Sequence, residues 1–143
     1  MYIRSASITD LEPILQLDPL VQRDLSRPDF IRRSLLATHC LVAISDDRIV
    51  AYGVLDYSFF NKAYISMLYV EPSLCRRGVG SALMAAMEAS CKEQKVFTST
   101  NKSNNAMQAL LTKLSYERSG IIENLDEGDP ELIYFKELVK RTG

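Results

Sequence analysis

The stretch LYVEPSLCRRGVGSALM, residues 68–84, decides how this chain is read. An apolar and aromatic run closes at Val70. After Gly80, the residues Leu83, Met84, Met87 and Cys91 recur at helical spacing. Between the two lie Arg76, Arg77, Gly78 and Gly80. A strand, a glycine turn and a helix start together form an anion-binding device, because free amide N–H groups and the helix dipole attract negative charge. Glycines let the backbone approach a ligand closely, and arginines suit phosphate groups. The same pattern also reads as a plain helix entry in which the glycines only set the turn. A dinucleotide fingerprint is excluded, since Leu83 stands where a small sixth residue is required. A P-loop is excluded because no Gly-Lys-Ser or Gly-Lys-Thr follows.

Outward from this turn the chain alternates between helical and strand patterns. YIRSA begins a first strand. Thr9, with Glu12 three residues on, carries a capping-box signature, and Leu11, Ile14, Leu15 and Leu17 share one helical face. Pro13 falls in the first turns of that helix, where a missing amide hydrogen is tolerated. DPLVQRDLSRP is an irregular connection. Ser26 caps a second helix with Phe30, Ser34 and Leu35 near one face. HCLVAI, RIVAYGVLDYSF and KAYISMLYV then form an antiparallel meander, joined across Ser45, Asp46 and Asp47 and across an Asn61–Lys62 turn. KVFTST is a further strand and NNAMQALLTKLS a helix. YERSGII and ELIYFKEL are a closing strand pair around the acidic loop ENLDEGDP.

The bulk properties narrow the classes. At 143 residues the chain is long enough for one domain with a real core. A net charge of −1 argues against nucleic acid as the main partner. No apolar run approaches the ~20 residues that span a bilayer, and the N-terminus shows no leader pattern. Cys40, Cys75 and Cys91 are odd in number and widely spaced, which suits neither a disulfide framework nor a zinc site and fits a reducing cytoplasm. With one histidine, His39, no metal is expected.

Two motifs carry a resemblance. LYVEPSLCRRGVGSALM resembles the pyrophosphate-binding motif of the GCN5-related N-acetyltransferases (GNAT), which use acetyl-CoA. Gly78 and Gly80 match its Gly-x-Gly, while Cys75 stands at its leading Gln or Arg. NNAMQALLTKLSY resembles the downstream motif of an asparagine, a helix and Lys-Leu-Gly-Phe. Asn104 falls on that asparagine, and Lys113, Leu114, Ser115 and Tyr116 fall on the closing four. The order of the motifs and the chain length fit one such domain over residues 1–143. The fold implied is α/β: a mixed central sheet of six to seven strands, largely antiparallel with a splayed parallel pair, flanked by about four helices.

The resemblance also implies a chemistry. The chain would move an acetyl group from acetyl-CoA to an amine by direct transfer in a ternary complex. The backbone of Leu68, Tyr69 and Val70 would pair with the cofactor, with the Leu68 amide as oxyanion donor. The amides of Arg76, Arg77, Gly78, Val79, Gly80 and Ser81 would meet the pyrophosphate, and Asn104 the pantetheine arm. Histone-modifying members hold a base glutamate where this chain has Tyr64, and members with an acid tyrosine hold it where this chain has Leu111. Proton removal is therefore expected through water, relayed by Tyr64 or Ser66, which share a strand face; the alternative is that both only pack or line the cleft. Five carboxylates at Glu123, Asp126, Glu127, Asp129 and Glu131 would draw a cationic amine, or merely solvate the loop. Phe59 and Phe60 line the acceptor cleft, form a homodimer contact or belong to the core. His39, far in sequence from the motif, reads as a surface or capping residue. A coenzyme A-binding domain without efficient catalysis is the competing reading.

Overall fold

A computed structural model of the chain describes residues 1–138. Its strands are β1 (Tyr2–Ser5), β2 (Cys40–Ser45), β3 (Arg48–Phe59), β4 (Lys62–Val70), β5 (Lys95–Asn101), β6 (Glu117–Ile122) and β7 (Glu131–Glu137). Its α-helices are α1 (Leu11–Leu17), α2 (Arg27–Leu36), α3 (Val79–Ser90) and α4 (Asn105–Lys113). The seven strands lie in the order β1-β2-β3-β4-β5-β7-β6. β4 and β5 are the parallel pair, registered at Tyr64↔Phe97 and Ile65↔Thr98. The expected mixed sheet with four helices is therefore present.

Contacts group the chain into two compact units. One holds residues 1–56 and 67–90, the other residues 57–66 and the described residues from 91 onward. In the first unit, alternation along β2 and β3 sends Cys40, Val42, Ile44, Tyr52 and Val54 into a core with Ile14, Ile31 and Leu35. Leu11, Leu15, Leu17 and Phe30 pack against it, so the two apolar helix faces read from periodicity are the buried ones. Leu83, Met84 and Met87 of α3 are fully buried, each contributing about 1.5–3 kcal/mol of hydrophobic stabilisation. Leu83 and Met87 lie over Gly53 of β3. A Cβ on Gly53 would stand 2.7 Å from Met87 Cε and 2.8 Å from its Sδ, so the end of the Met87 side chain occupies the space above the glycine.

Several local expectations are corrected. The capping interaction belongs to Ser7 and Asp10, not Thr9 and Glu12: Ser7 N–H donates to Asp10 Oδ2 at 2.9 Å. Asp10 prevails because Arg4 also grips it, through Nη1 at 2.8 Å and Nη2 at 2.9 Å, and this pairing holds the Asp10 carboxyl below its usual range. The second hairpin turns at Phe60–Asn61 rather than Asn61–Lys62. Both residues are left-handed, with φ of 52° and 61°, as are Asp46 and Asp47 at 51° and 60°. Two-residue loops of this hand match the twist of the flanking strands. Cys91 lies just past the end of α3, half-buried, rather than on its face.

Helices α2 and α4 end alike. His39 N–H donates to the Ser34 carbonyl at 2.9 Å and Thr38 N–H to that of Leu35 at 3.1 Å. Tyr116 N–H reaches Leu111 at 2.9 Å and Ser115 N–H reaches Thr112 at 3.1 Å. These are Schellman caps, whose turning residue is left-handed and usually glycine. Here it is Thr38, with φ of 59°, and Ser115, with φ of 70°. A β-branched residue is costly there, so Thr38→Gly is expected to stabilise the protein by about 1 kcal/mol. Urea unfolding reads the shift; unchanged or lower stability would contradict it.

Candidate functional site

The turn between β4 and α3 is built in three steps. Pro72–Leu74 forms a short 3-10 turn that Glu71 anchors by donating its N–H to the Val50 carbonyl at 2.8 Å. The chain then reverses hand twice, at Arg76 with φ of 67° and at Gly78 with φ of 84°. Gly78 offers its carbonyl to Ala82 N–H at 2.9 Å, which starts α3. The amides of Val79, Gly80 and Ser81 thus have no carbonyl of their own helix to bind. Nothing lies within 4 Å of where a Gly78 Cβ would be. Cys75, Arg76, Arg77 and Gly78 are exposed, whereas Val79 is buried and fixes the helix end. The glycine therefore has two functions, a left-handed turn and an uncovered backbone. This arrangement fits a phosphate group: open space, unpaired amides, a helix N-terminus and two arginines.

Strand β4 splits its residues by face. Ala63 and Ile65 are buried, while Tyr64 and Ser66 are half-exposed. Further along, Met67 and Tyr69 pack on the α1–α2 core, so Leu68 looks the other way. Burial, with the Asp18 carboxylate next in effect, raises the Tyr69 phenol above its ordinary value. In the first unit, Asp18 fastens the connection between α1 and α2. Its carboxylate is 1% exposed and takes three donors: Leu20 N–H at 3.0 Å, Arg27 Nη1 at 3.0 Å and Tyr52 Oη at 2.6 Å. Arg27 Nη1 also lies 3.2 Å from Met67 Sδ on β4. Burial and the adjacent carboxylate keep the Tyr52 phenol protonated far above its usual range, so it stays a donor. Nothing in the sequence marked Asp18 and Tyr52 as partners, because 34 residues separate them.

In the second unit, Asn104 caps α4, its Oδ1 accepting from Met107 N–H at 3.0 Å. Its side-chain amide group remains a donor. Leu111 is fully buried, so the position of the acid tyrosine is core here. The acidic loop is partly consumed by internal bonds. Asp126 accepts from Asn101 Nδ2 at 2.9 Å, and Asp129 takes Ser103 N–H at 3.0 Å and Ser103 Oγ at 2.6 Å. Glu123 and Glu127 remain exposed. Phe59 stacks on Tyr64 at 5.1 Å between centroids, and Phe60 is 83% exposed. His39 sits at the α2–β2 junction, half-buried. Burial pushes the Cys40 thiol up to about 12. Among the described residues no group of three or more histidines, cysteines or acids could hold a metal. No described helix is long and apolar enough to cross a membrane.

The acetyltransferase (GNAT) family model matches residues 8–116. The chain belongs to the GNAT acetyltransferase family. A GNAT-family acetyltransferase from Bacillus cereus is 37% identical, with 97% of this chain and 98% of that one covered and a TM-score of 0.90. PaiA N-acetyltransferase from Thermoplasma acidophilum, solved in complex with coenzyme A, is 17% identical over 95% of this chain and 98% of that one, with a TM-score of 0.75. YncA from Salmonella typhimurium, solved with acetyl-CoA, is 14% identical over 99% and 96%, with a TM-score of 0.76. At those identities the last two share the GNAT fold alone. Comparison with the curated proteins gives no match.

Proposed function

We propose that this GNAT chain, as one domain over residues 1–143, transfers the acetyl group of acetyl-CoA directly to an amine held beside it in a ternary complex. One observation carries the reading: the double left-handed turn that leaves the Gly78 backbone uncovered at the start of α3. The backbone of Leu68, Tyr69 and Val70 and the amides from Arg76 to Ser81 would hold the cofactor, with Asn104 donating from its side-chain amide. When bound, acetyl-CoA supplies an activated acetyl thioester. The Leu68 amide would donate to the carbonyl oxygen as negative charge grows there, a contribution of the order of 3 kcal/mol in acyl-transfer sites. Tyr64 and Ser66, half-exposed on β4, would take up the proton the amine sheds, directly or through water. The acceptor is a small-molecule amine or a protein amino group, and Glu123 and Glu127 favour a cationic one. The unpaired cysteines fit a reducing cytoplasm.

A second reading, coenzyme A binding without efficient turnover, is favoured by the buried Leu111 at the acid position. Thiol release from acetyl-CoA across a panel of primary amines separates the two. Amine-dependent release is expected. Tight coenzyme A binding with no turnover on any amine would support the binder instead.

A further inference from the structure

Tyr64 does not end at its own hydroxyl. Tyr64 Oη lies 2.6 Å from Ser99 Oγ on β5, and Ser99 Oγ lies 2.6 Å from Glu131 Oε2 on β7. Both distances are at the short end for O–H···O bonds. An ionised carboxylate only accepts, so Ser99 donates its single proton to Glu131. That fixes the direction of the other bond, in which Tyr64 must donate to Ser99. The chain thus runs one way, from the Tyr64 phenol through the Ser99 hydroxyl to the Glu131 carboxylate.

The surroundings hold this chain in place and leave it reachable. Phe59 stacks on the Tyr64 ring at 5.1 Å and 20°, and Phe97 lies 5.3 Å from Phe59. Along β5, Val96, Thr98 and Thr100 are buried while Phe97, Ser99 and Asn101 are half-exposed, so the three relay groups share the open face of the sheet. Ser99 is two residues beyond Phe97, the parallel partner of Tyr64. The Tyr64 hydroxyl therefore leans along β5 toward Ser99. Glu131, registered opposite Asn101, is itself half-exposed and can exchange its proton with water.

We propose that Tyr64, Ser99 and Glu131 form a proton relay that serves as the general base for acetyl transfer, with Glu131 as the acceptor at its far end. The inference rests on the transferase reading above. As the nitrogen attacks and its N–H becomes acidic, that bond breaks and the electron pair stays on nitrogen. The proton passes to Tyr64 Oη, the Tyr64 proton to Ser99 Oγ, and the Ser99 proton to Glu131 Oε2. Glu131 then returns a proton to solvent, from which the departing thiolate is protonated. Tyr64 is the catalytic residue; Ser99 and Glu131 act through it. The relay places a carboxylate in service of β4, although β4 itself has none.

The test compares wild type with Tyr64→Phe, Ser99→Ala, Glu131→Gln and Glu131→Asp, using thiol release with the best amine of the panel and calorimetric binding of coenzyme A. Glutamine at 131 still accepts from Ser99 but takes no proton. Glu131→Gln should lower kcat by about 100-fold, in the range of general-base losses, with coenzyme A affinity and melting temperature unchanged. Glu131→Asp should restore part of the rate. Tyr64→Phe and Ser99→Ala should each give a similar loss in kcat. Wild-type kcat in Glu131→Gln, with wild type active, would overturn the relay and leave the transferase reading standing. Coenzyme A binding without turnover by wild type would overturn both.

Discussion

Gly78→Asn is expected to weaken coenzyme A binding by 10–100-fold while moving the melting temperature by no more than a few degrees. Asparagine tolerates a left-handed φ, so the 84° turn at this position survives the change. Its side chain, however, fills the space that is open in front of the Gly78 backbone. Displacing one phosphate from its backbone donors removes charge-assisted hydrogen bonds worth ~1.5–3 kcal/mol each, and ~1.4 kcal/mol is tenfold in affinity. Gly78→Val serves as the contrast. A β-branched residue resists positive φ, so it should lose about 1–2 kcal/mol of stability in addition to affinity. Calorimetric titration with coenzyme A, paired with thermal unfolding, reads both quantities. Asparagine binding as tightly as glycine would reduce Gly78 to a residue of the turn alone.

Asp18→Ala is expected to be the most destabilising of the changes considered, by about 3–5 kcal/mol, because it removes a fully buried carboxylate and strands the half-buried Arg27 guanidinium without its counter-ion. It also strands the Tyr52 hydroxyl. For a chain of this size that corresponds to roughly 10–20 °C in melting temperature. Asp18→Leu combined with Arg27→Met removes both charges together, and should recover much of the loss. Urea unfolding of the two single variants and the double variant gives the coupling directly. A loss below ~1 kcal/mol for Asp18→Ala would mean that water already screens the pair.

The fold was legible because its signals are local and periodic. Strand boundaries at Arg48–Phe59 and Lys62–Val70 follow the apolar runs, and the turns between them are two-residue loops with the residue types such turns prefer at three of four positions. Phe60 is the exception, and it is where the turn was misplaced by one residue. The cap at Ser7–Asp10 was missed because Arg4, on a different element, decides which acidic residue is available. The cofactor turn was legible through Gly78, but its left-handed Arg76 was not, since nothing in Arg-Arg predicts φ above zero. The schism between sequence and site is sharpest at the base. The local strand carries only Tyr64, and Ser99 and Glu131 reach it across 35 and then 32 positions of sequence. Only strand order, with β7 beside β5, places that carboxylate there. Conversely, Ser115 at the glycine of the family motif takes the left-handed φ that a glycine there would supply, so the departure in sequence leaves the local backbone intact.

The central claim, transfer of acetyl to an amine, is tested most directly with acetyl-CoA labelled with deuterium in the acetyl methyl group. The purified protein is incubated with it and a primary amine, and the products are read by mass spectrometry. The account predicts that the label appears as an N-acetyl amide of the amine, in step with free thiol. Label found only in unreacted acetyl-CoA or in free acetate, for every amine supplied, would contradict it.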